Sequence, residues 1–89
     1  MLSKKITIIN KLGLHARAAM KLVTIAGKYQ SKILLHFKNR EINAKSIMNL
    51  MVIGATKGSE LHITTEGLDE NEAMHAVCEL INNKFGENE

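Results

Sequence analysis

The spacing of apolar positions along this chain switches between a period of two and a helical period, and the switches mark the elements. Residues 4–9, KKITII, carry β-branched side chains in weak alternation and predict a half-buried strand. From residue 16 the period changes. Ala16, Ala19, Met20, Val23 and Ala26 fall on one helical face, and Arg17, Lys21, Thr24 and Lys28 on another, which predicts a helix over 16–26. Gly27 follows the last apolar position, where a left-handed cap would close the helix. KILLHF (32–37) and REIN (40–43) flank Lys38 and Asn39 and predict a hairpin. Ser46 precedes IMNLMVI, a short helical stretch that the serine can cap. ELHITTE (60–66) sets Leu61 and Ile63 opposite His62 and Thr64, a fourth strand.

Asp69 with Glu72 makes a capping-box-like start to a last helix, whose stripe is Ala73, Met74, Val77, Leu80 and Ile81. The tail NNKFGENE reads as a helix end fraying into solvent, with Phe85 able to pack back. The order is βαββαβα, which predicts an α+β fold: a mostly antiparallel four-stranded sheet with helices over one face.

Length narrows the picture to one domain, residues 1–89, with a single modest core. No apolar run reaches the roughly 20 residues of a membrane span. The start, MLSKKITIIN, lacks the pattern of a signal peptide. Cys78 is alone, which fits a reducing cytoplasm, and no Cys/His spacing points to a metal site; no cofactor is expected. The net charge of +3 favours an acidic partner. A nucleic-acid binder would need denser basic residues and more stacking platforms than Tyr29, Phe37 and Phe85 supply.

Candidate chemistry concentrates in LGLHARAAMKL, residues 12–22. His15 ends a loop that Gly13 lets turn tightly, and stands at the start of the first helix. A helix N-terminus offers free N–H groups and the positive end of the macrodipole, so it disfavours an imidazolium and favours an anion held on the ring. Arg17 adds a planar fork of donors suited to phosphate oxygens. On these grounds alone His15 is a helix cap, a packed residue or a nucleophile, and the first two are the commoner uses of a lone histidine.

KLGLHARAAMKL, followed by AKSIMNLM and then GATKGSEL, resembles the HPr family of phosphocarrier proteins of the bacterial phosphoenolpyruvate-dependent phosphotransferase system. The resemblance runs over nearly the whole chain. It implies an open-faced β-sandwich with three helices over the sheet, and a phosphoryl relay in the cytoplasm rather than a complete enzyme. Enzyme I would pass a phosphoryl group to Nδ1 of His15, and His15 would pass it to a histidine of an enzyme IIA domain. Arg17 matches the active-centre arginine that steadies the group. Ser46 matches a site that an HPr kinase/phosphorylase modifies in some bacteria. Ala16, Ala19, Met20, Lys21, Ile47, Met48 and Met51 match the face that docks partners, a transcription regulator among them. A relay that docks through one face is best served by a monomer.

The chain departs from the family pattern at Ala18, where many members carry proline, and at Thr24 and Asn49, where many carry basic residues. These differences leave open whether it serves sugar transport or is a regulatory paralogue of the nitrogen branch, acting by phosphorylation-dependent binding. His36, His62 and His75 match no functional position and are expected to be bystanders, and Cys78 a small buried apolar residue.

Overall fold

The computed structural model describes residues 1–89. Its elements are β1 (Leu2–Thr7), α1 (Ala16–Ala26), β2 (Lys32–Phe37), β3 (Arg40–Asn43), α2 (Ile47–Met51), β4 (Glu60–Glu66) and α3 (Glu70–Asn82), followed by a 3₁₀ turn, Lys84–Gly86. The fold is the α+β, open-faced sandwich that the sequence predicts. The sheet order is β1-β4-β2-β3, and every neighbouring pair is antiparallel. Inserting β4 between β1 and β2 makes those two parallel, so α1 serves as their crossover connection.

Alternation decides which side the helices cover. Ile33, Leu35 and Phe37 of β2, with Leu61, Ile63 and Thr65 of β4, point to the helices and are buried. On the open side His36 stands opposite His62 in register and its Nε2 lies 3.2 Å from Thr64 Oγ1. The helices contribute Leu22, Leu50, Val77 and Ile81, all fully buried. Cys78 is buried 3.6 Å from Met74 Sδ, and that burial pushes its thiol pKa up.

Several expectations need correction. β1 begins at Leu2, because Leu2–Lys5 pair with β4 although they carry little apolar signal; Ile8 leaves the ladder yet stays buried. In α1 the buried stripe is Ala18, Ala19, Leu22 and Ala26, while Ala16 and Met20 face solvent. Gly27 is right-handed (φ −66°), so α1 ends without a left-handed cap. Asp69 occupies the N-cap of α3 but makes no capping bond. Its carboxylate instead accepts from the Gln30 and Ser31 amides at 2.9 and 2.8 Å and from the Ser31 hydroxyl, which ties the α1–β2 loop to α3. The tail does not fray. Phe85 is fully buried, and Lys84, Phe85 and Gly86 all have positive φ, turning the chain back across the molecule.

Candidate functional site

His15 is the N-cap of α1, with extended backbone (φ −83°, ψ 179°), and its carbonyl accepts the first helical bond from Ala19 at 2.8 Å. Its side chain makes no capping bond, so the first N–H groups of α1 stay open to an incoming anion. The loop before it is set by Gly13, whose φ is +67° and where an added Cβ would lie 2.6 Å from the Ala55 carbonyl oxygen. Leu14 N–H donates to that same oxygen at 3.0 Å. The approach of two backbones therefore fixes the height at which His15 emerges.

The imidazole bonds through Nε2 to the Glu87 carboxylate, and Nδ1 makes no bond within the chain. The His15 side chain is 26% exposed and that of Glu87 18%, so the ring is reachable from outside while its partner is more covered. Asn10, fully buried, donates from Nδ2 to Glu87 at 3.0 Å and to the Gly13 carbonyl at 2.8 Å. Hydrogen bonds from Asn10, and then from His15, hold the Glu87 carboxyl below its ordinary pKa. Arg17 is exposed, makes no ion pair, and shares with His15, Glu87, Lys11 and Leu12 an open groove of about 570 Å³. Polar side chains around a helix N-terminus, with one unengaged ring nitrogen, suit the temporary holding of a phosphoryl group.

The remaining site residues do not share one exposed face. Met20, Met48 and Met51 are strongly exposed and Ile47 half-buried, so these four can form an apolar surface. Ala19 cannot belong to a docking face: it is fully buried against the core. Lys21 is exposed, yet its Nζ donates to the Phe85 carbonyl at 2.6 Å and so anchors the tail. Ser46 caps α2, accepting from the Asn49 amide at 3.4 Å. Glu87 and Asn10 were missed by sequence reasoning. The available signal for the first was Phe85, a large aromatic residue whose burial forces the polar tail back toward the loop.

The fold is thus an open-faced β-sandwich with His15 at the uncapped start of its first helix. A family profile described as "PTS HPr component phosphorylation site" matches residues 2–83. The phosphocarrier protein HPr of Pseudomonas aeruginosa is 53% identical over 87 residues, covering 96% of each chain. That of Cupriavidus necator is 49% identical over the full length of both. The crystal structure of HPr-C-His from Thermoanaerobacter tengcongensis superposes with a TM-score of 0.96 at 44% identity, covering 100% of each chain. The chain belongs to the HPr family of phosphocarrier proteins, and members of that family carry phosphoryl groups without being enzymes.

Proposed function

We propose that this protein relays a phosphoryl group from enzyme I, charged by phosphoenolpyruvate, to a histidine of an enzyme IIA domain, with Nδ1 of His15 as the acceptor and Arg17 steadying the group. The observation that carries the reading is the division of labour on the ring: Nε2 is engaged by Glu87, while Nδ1 is unengaged at the open N-terminus of α1. The helix dipole and free amides favour the charge that arrives. Arg17, with no internal partner, supplies a bidentate donor from the same groove.

Met20, Ile47, Met48 and Met51 give partners an apolar landing surface, and methionine repacks easily against several of them. Lys28 and Arg17 bring positive charge to acidic partners. Ser46 is the candidate for regulation by a kinase of the HPr kinase/phosphorylase type. Its Oγ holds only one long bond, and a phosphoryl group there would add nearly −2 charge beside Met48. That charge would repel an acidic partner, and it is the feature through which a transcription regulator could read the protein.

Incubation with enzyme I and phosphoenolpyruvate should add one acid-labile phosphoryl group to the wild type and none to His15→Ala. An unmodified wild type would overturn the relay; a modified His15→Ala would move the acceptor elsewhere.

A further inference from the structure

The relay reading needs only His15 and Arg17, and the family match ends at residue 83, short of the carboxylate that holds the ring. The chain goes to some length to bring that carboxylate into place. Lys84 and Phe85 adopt φ of +57° and +55°, a left-handed conformation unfavourable for residues with a Cβ, and two in succession need outside support. The support is present: the Phe85 ring is fully buried, its carbonyl accepts from Lys21 Nζ at 2.6 Å, and the Glu87 amide donates to the Lys84 carbonyl at 2.9 Å. At the far end Lys11 pairs with Glu89 at 3.3 Å. Buried Asn10 then donates to the Glu87 carboxylate at 3.0 Å. Backbone of this sort persists where the surrounding structure over-determines it, as these contacts do here.

We infer that Glu87 is a positioning residue for phosphoryl transfer: by accepting the Nε2–H of His15 it selects the tautomer whose lone pair lies on Nδ1 and fixes the ring against the start of α1. This rests on the relay reading. In the forward step the Nδ1 lone pair forms the new N–P bond while the N–P bond of the donor breaks, and the donor nitrogen keeps the electron pair. The Nε2 proton stays where it is throughout. The ring then carries a positive charge, which the carboxylate at Nε2 balances from the edge away from the phosphoryl group. In the onward step Nδ1 leaves as part of a neutral imidazole, a far better leaving group than the imidazolate that a deprotonated Nε2 would require. A carboxylate that keeps the proton on Nε2 therefore favours both halves of the relay, much as a buried carboxylate orients and supports a catalytic histidine elsewhere.

Two variants test this. Glu87→Ala removes the acceptor, while Glu87→Gln keeps an oxygen facing Nε2 without the charge and preserves the shape of the tail. Two-bond ¹H–¹⁵N spectra of His15, taken where the ring is neutral, should show Nε2 protonated almost exclusively in the wild type and in Glu87→Gln. Glu87→Ala should show a mixture of tautomers. Phosphoryl acceptance from charged enzyme I should slow by roughly tenfold or more in Glu87→Ala, with Glu87→Gln between it and the wild type. Wild-type tautomer populations and rates in both variants would overturn the role of Glu87 and leave the relay standing. A wild type that accepts no phosphoryl group would overturn the relay and this inference together.

Discussion

Gly13 adopts a φ of +67° with its Cα so close to the 55–56 backbone that a Cβ would sit 2.6 Å from the Ala55 oxygen and 2.9 Å from the Thr56 Cα. No rotamer change relieves a clash with backbone. Gly13→Ala should therefore lower unfolding stability by about 1–2 kcal/mol or more, from the left-handed conformation alone plus the displaced loop. Because His15 lies two residues on, the same variant should slow phosphoryl acceptance more than its loss of stability explains. Parallel denaturant titration and transfer assays would separate the two effects. At this scale the sequence was informative about chemistry: His15, Arg17 and Ser46 stand at helix starts, as their setting predicts. It was silent on Glu87, since nothing in GENE marks one carboxylate over another.

Among the elements, those set between clear breaks had bounds legible to the residue: α1, β2, β3 and β4 have the bounds read from the pattern. The failures have physical causes. Alanines dominate α1, so its apolar stripe is blurred, and packing against the core selects Ala18, Ala19 and Leu22 over Ala16 and Met20. Asp69 has the composition of a cap, but the loop amides of Gln30 and Ser31 compete for its carboxylate and win. A polar C-terminal run usually frays, but here the Phe85 ring packs back, as the sequence allowed, and outweighs that tendency. Phe85→Ala should cost about 3–5 kcal/mol by thermal or chemical unfolding, the usual loss for a fully buried phenyl ring. It should also release Glu87 from His15, so the His15 tautomer preference should vanish in whatever fraction stays folded.

The whole molecule should be acid-sensitive in a definite direction. Asp69 is held below its ordinary pKa by the Ser31 hydroxyl and then the Gln30 amide, and Glu70 by the Gly67 amide and then the amino terminus. Glu87 is lowered by Asn10 and then His15. Each is more acidic folded than unfolded, so each contributes stability that is fully present above its unfolded value, near 3.8 for Asp69 and 4.5 for the two glutamates. That contribution is lost as pH falls through the folded values. Melting temperature should fall with acidification in this range, and the fall should be shallower in Asp69→Asn and Glu87→Gln; an unchanged slope in both would contradict the bonding described.

The central claim is that phosphoryl transfer uses one particular nitrogen, and it can be tested on the atom itself. The ¹⁵N-labelled protein, phosphorylated by enzyme I and phosphoenolpyruvate, should show ³¹P–¹⁵N coupling at Nδ1 of His15 while Nε2 retains its proton. Coupling at Nε2 would contradict the account, because the nitrogen engaged by Glu87 would then be the one that reacts, and coupling at any other residue would remove His15 as the acceptor.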